Sequence, residues 1–187
     1  MLAAVVTAGC LAALGGCGVG AQARPEILGS PTSGADGAAV GNPGVPLTVQ
    51  VYLLDGDHLV PVSRTVPAGT GLAPSLSGLV QPLDRDDLGR GLRTALPAAS
   101  TPPKGTMIGT VARVTMPVGF DRLSVRDQVA AMSQIVWTVT GNTLATKVRL
   151  FLGDREIPVP GGDGLLVDRP VGRDDYASWR PLGVPTT

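Results

Sequence analysis

Apolar and polar residues alternate from Leu47 to Leu54, with Val49, Val51 and Leu53 on one side and Thr48, Gln50 and Tyr52 on the other. That period of two predicts a half-buried strand. Asp55-Gly56-Asp57 follows as a hairpin signal, because Gly and Asp tolerate positive φ. His58 to Val66 then returns as a second strand with Val60, Val62 and Val66 on one face. Pro61 has no N–H to offer a ladder, which assigns this strand to an edge or a bulge. The period next changes to that of a helix, with Leu72, Leu76, Leu79 and Val80 in one stripe. Pro74 fits only its first turn, and Gln81-Pro82 stops it. Asp84 to Gly91 reads as a turn or short helical connector, and Gly91 to Pro97 leads the chain back to the sheet. A loop from Ala98 to Gly105 precedes a strand at Thr106 to Met116.

The longest pattern is a helix from Ser124 to Thr140. Ser124 and Asp127 form a variant capping box, and Val125, Val129, Met132, Val136 and Val139 hold a 3.6-residue period. Gly141-Asn142 ends it. A strand at Ala145 to Leu152 sets Val148, Leu150 and Leu152 against Lys147, Arg149 and Phe151. Gly153-Asp154 turns the chain into residues 155–160, and an irregular tail runs through Arg173-Asp174-Asp175-Tyr176 to Trp179. The order β-β-α-β-α-β-β predicts an α+β domain, a mixed sheet with two main helices packed on one face. No internal repeat interrupts it.

The residues before this domain are patterned differently. Met1 to Gly16 carry no charge and are small or apolar almost throughout. Sixteen helical residues reach about 24 Å, short of the ~30 Å hydrocarbon core, so a secretory apolar region fits better than a membrane span. Leu14-Gly15-Gly16-Cys17 resembles a bacterial lipobox, the site where a diacylglycerol is joined to a cysteine sulfur before cleavage. Residues 1–16 are therefore expected to be a lipoprotein signal peptide, and Cys17 a lipidated, palmitate-bearing N-terminus and membrane anchor. Cys10 leaves too short an apolar run to compete. No Lys or Arg precedes that run, which implies a start codon upstream of Met1. From Gly18 to Pro46 the chain is Gly, Ala, Ser, Pro, Thr and Asn with few large apolar groups, so residues 17–46 read as a tether. About 28 flexible residues reach roughly 30 Å. The domain spans 47–180, and 181–187 is a short tail.

Composition removes several functions. Lys plus Arg is 15 and Asp plus Glu is 15, which argues against a nucleic-acid partner. One His and two Cys cannot supply a four-ligand Cys/His zinc site. With Cys17 acylated, no internal disulfide remains to form. His58 and Ser63 are an odd number of residues apart on one strand and so face opposite ways, which disfavours a Ser-His-Asp site. Asp84, Asp86 and Asp87 lack a calcium-loop spacing and read as helix-start charges balanced by Arg85 and Arg90. Gly161-Gly162-Asp163-Gly164 lacks the Lys-Ser/Thr of a phosphate loop. Trp137 and Trp179 read as core covers. No catalytic residue, cofactor or metal site is expected.

Five runs are similar to the GerMN domain, a module of spore-germination and sporulation lipoproteins and of actinobacterial envelope lipoproteins. They are Val51-Tyr52-Leu53-Leu54, Val62 to Pro67, Gly91-Leu92-Arg93-Thr94-Ala95-Leu96-Pro97, Gln134-Ile135-Val136-Trp137-Thr138-Val139-Thr140 and Val148 to Leu152. Together they span Leu47 to about Tyr176. Gln81-Pro82-Leu83 and Val114-Thr115-Met116-Pro117 depart from the family pattern at two structural turns. The resemblance implies a single GerMN-like domain, no enzyme, and a role in binding another envelope protein or a second copy of itself. The expected location is the extracytoplasmic face of the cell membrane, anchored through Cys17. A small-ligand or peptidoglycan-binding lipoprotein is the alternative.

Overall fold

In the computed structural model, which describes residues 44–97, 102–117 and 119–181, the first alternating run becomes β1 (Leu47–Asp55) and returns as β2 (His58–Val66). Asp55 stands opposite His58, so only Gly56 and Asp57 make the turn. Gly56 takes φ +58°, the positive value that a tight turn needs if the strands are to keep their right-handed twist. The apolar leader 1–16 with Cys10, Cys17, the tether before residue 44 and the tail after residue 181 lie outside the described residues.

Helix α1 (Ala73–Leu79) has Pro74 in its first turn and ends before Gln81-Pro82, as its stripe predicts. Leu72, Leu76 and Leu79 are buried, and Gly78 lets the helix lie close on the hairpin: a Cβ there would meet Val49 Cγ2 at 2.9 Å. The connector forms the five-residue helix α2 (Arg85–Gly89). The chain then pairs back briefly, with Arg93 bridging Leu54 on the far side of β1.

The single strand expected over Thr106–Met116 is instead a second hairpin, β3 (Lys104–Ile108) and β4 (Val111–Met116). Gly109, at φ +59°, supplies the turn inside a run of β-formers that conceals it. Helix α3 runs Val125–Asn142 with the Ser124 side chain accepting from Asp127 N–H at 3.2 Å. It outlasts its expected stop by two residues, because Thr143 rather than Gly141 caps it. Val129, Met132, Val136 and Val139 are buried as predicted, but Val125 is 56% exposed.

After α3, β5 (Lys147–Leu152) runs parallel to β4 and β6 (Arg155–Glu156) runs antiparallel to β5. The order β3-β4-β5-β6 is the expected mixed sheet. The first hairpin does not join it, and β7 (Val159–Pro160) with β8 (Leu166–Val167) makes a third, small ladder. The tail expected to be irregular holds a 3₁₀ segment, Arg173–Trp179, whose Tyr176 is fully buried and donates to Pro160 C=O at 2.8 Å. One core cluster runs from Val51 and Leu54 through Leu76, Met132 and Ile135 to Val148 and Tyr176, so α3 is packed between the hairpin and the sheet.

Candidate functional site

The two edges of the β1–β2 hairpin are treated in opposite ways. With Asp55 and His58 as the pair flanking a two-residue turn, alternate pairs such as Leu53–Val60 and Val51–Val62 exchange the ladder bonds. The backbone groups of Gln50, Tyr52 and Leu54 then point out of β1, and those of Leu59, Pro61, Ser63 and Thr65 out of β2.

The β1 edge is closed by side chains of a helix. Asn142 accepts from Gln50 N–H at 2.9 Å and donates to Gln50 C=O at 2.7 Å. Thr138 Oγ1 accepts from Tyr52 N–H at 3.1 Å, and Gln134 Nε2 donates to Tyr52 C=O at 2.8 Å. Gln134 Oε1 also accepts from Ala95 N–H at 2.9 Å, and Leu54 exchanges two backbone bonds with Arg93. Residues 134, 138 and 142 are i, i+4 and i+8, one row along α3. That row does for β1 what a neighbouring strand would do.

The β2 edge has no such partner among the described residues, where β2 pairs with β1 alone. Pro61 lies in an outward register position, so its missing N–H costs the ladder nothing, in keeping with the edge role expected for it. Thr65 C=O accepts from Gln81 Nε2 at 3.0 Å.

Arg64 is the residue that the hydrophobic pattern missed. It lies between Val62 and Val66 on the inner face of β2 and is 8% exposed. Its guanidinium bonds Asp84 Oδ2 at 3.1 Å and Asp87, itself 2% exposed, through a second nitrogen. Asp84 caps α2 by accepting from Asp87 N–H at 2.8 Å, and Asp87 returns a bond to Asp84 N–H. The Asp87 N–H is the chief cause that holds the Asp84 carboxyl below its usual range, with Arg64 adding to it. The acidic cluster is therefore balanced by Arg64 from another element rather than by Arg85 and Arg90, and a buried pair is the signal that spacing alone does not carry. Among the described residues, no group of three or more His, Cys, Asp or Glu is arranged to hold a metal ion.

The remaining candidates fall where ordinary structure would put them. His58 is exposed at the turn, and strand alternation sends Ser63 to the other face. Asp163 in the glycine-rich loop accepts from Leu165 N–H at 3.0 Å, a turn within β7–β8. Trp137 and Trp179 are 4% and 8% exposed; Trp137 packs on Tyr52 with ring centroids 5.7 Å apart and under the Arg173 guanidinium at 4.5 Å. Its Nε1 is the buried side-chain donor without a partner among the described residues. A carboxylate latch holds the C-terminal segment: Asp175 accepts from Arg169 and from Gly172 N–H at 2.7 Å, with Lys147 Nζ 3.9 Å away. The Arg169 hydrogen bond, against some opposing burial, keeps the Asp175 carboxyl below its usual range. Among the described residues no helix is long and apolar enough to cross a membrane. Cys17 lies outside them.

A hairpin edged by helix side chains, packed through α3 on a mixed four-stranded sheet, makes an α+β domain whose fold is that of GerMN domains. The chain superposes on the tandem GerMN domains of the sporulation protein GerM from Bacillus subtilis with a TM-score of 0.56 at 19% identity, over 70% of this chain and 48% of that one. Against the first GerMN domain of the same protein the TM-score is 0.51 at 22% identity, over 68% of this chain and 98% of that one. The resemblance read from five sequence runs is thus borne out as a fold. Lipoprotein LpqB of Cutibacterium acnes (strain DSM 16379 / KPA171202) is 30% identical over 144 residues, which is 72% of this chain and 23% of LpqB. The chain therefore spans less than a quarter of that relative's length. No family model matches the chain.

Proposed function

We propose that the protein is a lipid-anchored lipoprotein of the cell envelope, with Cys17 acylated after removal of residues 1–16, residues 17–46 as a tether, and the domain at 47–180 as a non-enzymatic interaction module on the extracytoplasmic face. The similarity to a lipoprotein, LpqB, supports the anchor. The observation that carries the interaction role is the contrast between the hairpin edges: side chains from α3 satisfy the outward groups of β1, while β2 presents the N–H groups of the exposed Ser63 and Thr65 with no strand beside them among the described residues. Such an edge accepts an extended segment of a partner chain, or of a second copy, by main-chain hydrogen bonds.

Two measurements test the parts separately. Intact mass of the membrane-extracted protein should show a diacylglycerol-bearing Cys17, and Cys17→Ala should leave the precursor unprocessed while Cys10→Ala does not; an unmodified Cys17 in mature protein removes the anchor. Ser63→Pro with Thr65→Pro deletes two outward donors and spares the apolar face of Val60, Val62 and Val66. This variant, confirmed folded by circular dichroism, should lose the envelope proteins that the tagged wild type captures from solubilised membranes. Undiminished capture moves the binding surface off β2.

A further inference from the structure

Alternation along β3, β4 and β5 turns Ala112, Val114, Val148 and Leu150 into the core and leaves Lys104, Thr106, Ile108, Arg113, Thr115 and Phe151 on the opposite face. There Lys104, Gly105, Thr106, Arg113, Thr115 and Asp154 line a shallow concavity of about 340 Å³. Thr106 stands opposite Arg113 and Lys104 opposite Thr115, so cations and hydroxyls alternate across the two strands. The Arg113 guanidinium lies 3.8 Å over the Phe151 ring, which orients it and leaves Phe151 only 8% exposed. Neither Lys104 nor Arg113 has an acidic partner among the described residues, whereas the neighbouring Arg149 is paired to Glu156.

Two unpaired cations against the single carboxylate of Asp154 suit a singly charged phosphodiester better than a doubly charged phosphate monoester. On the same face, Ile108 is 66% exposed beside Val111 at the end of the hairpin. A basic concavity with an apolar step on its rim is the composition that settles into a headgroup layer. We propose that this sheet face docks on an anionic phospholipid surface, with Lys104 and Arg113 on a headgroup phosphodiester and Ile108 entering the layer beside them. The concavity is too open to strip water from a lone soluble anion, but a membrane presents many headgroups at once and raises occupancy by effective concentration. Lipid on Cys17 is not required, so the test uses the full chain carrying Cys17→Ala.

Cosedimentation is measured with vesicles of mixed phosphatidylglycerol and phosphatidylcholine and with vesicles of phosphatidylcholine alone. The ratio of the two partition coefficients is the readout, so that apolar binding by residues 1–16 cancels. The wild-type ratio should be well above one and fall as salt rises. Each basic side chain at an anionic surface is worth about fivefold, so Lys104→Glu with Arg113→Glu should lower the ratio about thirtyfold or more, and Lys104→Glu alone, at an exposed position, about fivefold or more. Arg85→Glu with Arg90→Glu makes the same charge change on α2 and should leave the ratio unchanged. Ile108→Ser should lower partition into both anionic and neutral vesicles while the fold persists. A wild-type ratio near one, or equal losses in the two charge-reversed pairs, overturns the proposal. So does perturbation of Lys104 and Arg113 by glycerophosphoglycerol, the soluble phosphodiester of the same headgroup, in free solution without vesicle binding, which assigns the concavity to a soluble anion.

Discussion

Gln134 is uncharged, fully buried and engaged at both ends of its amide, donating to Tyr52 C=O and accepting from Ala95 N–H. Its amide can satisfy one strand and one loop together because carbonyl and amino group diverge from a single carbon. Replacement by leucine keeps the volume but strands the buried Tyr52 C=O and the half-buried Ala95 N–H. At about 1–3 kcal/mol for the buried carbonyl and about 1 kcal/mol for the half-buried N–H, Gln134→Leu should cost roughly 2–4 kcal/mol, seen as a lower midpoint in urea at unchanged slope. Asn142→Ala acts at the solvent-facing end of the same row and should cost no more than about 1 kcal/mol, since water replaces the lost partners. Similar losses for the two would show that the row contributes packing rather than hydrogen bonds. Arg64 follows the same logic with charge: its pair with Asp87 is worth keeping chiefly because either member alone would be a buried, unpaired ion.

At the scale of elements, α3 is buried all round from Val129 to Val139, and Val129, Met132, Val136 and Val139 form the apolar row that the sequence shows. Val136→Asp should abolish the cooperative melt, since an unpaired carboxylate in that core costs more than about 4 kcal/mol. Val125→Asp, at the exposed first residue of the helix, should change stability by no more than about 0.5 kcal/mol, an acid in the first turn being favourable to the helix dipole. Circular dichroism melts of the pair check both. Those four apolar positions, the hairpin turn and the stop after α1 were all legible, because each is written in local spacing or in a residue with restricted φ. The polar row Gln134, Thr138 and Asn142 has the same helical period as the apolar one, yet a reading by hydrophobicity discards it. The β3–β4 turn was missed because Gly109-Thr110 interrupts β-formers without breaking their alternation, and Arg64 because an arginine between valines reads as an outward residue. Which strands share a sheet depends on contacts far apart in the chain, so the separation of the first hairpin from the mixed sheet was not legible locally.

Across the whole domain, the C-terminal segment is held to the sheet by the Val148–Val171 bridge and by the charges around Asp175. The folded carboxyl of Asp175 titrates below its unfolded value, chiefly through Arg169, so its contribution is complete above the unfolded value of ~4 and is lost as pH falls through the folded one. Thermal midpoints should therefore decline on acidification below about pH 4. Asp175→Asn should cost about 1–3 kcal/mol at neutral pH and flatten that decline; an unaltered acid profile would assign it to other carboxylates. The helix row that closes the β1 edge has a further consequence, in time. Tyr52 and Gln50 wait for partners 82 to 92 residues later in the chain. At ribosomal rates of about 5–20 residues per second, that interval lasts roughly 4 to 18 s. Throughout it the newborn hairpin lacks the row that covers Gln50 and Tyr52, and it is then, rather than in the finished domain, that this part of β1 is open to a chaperone or to another unfolded chain.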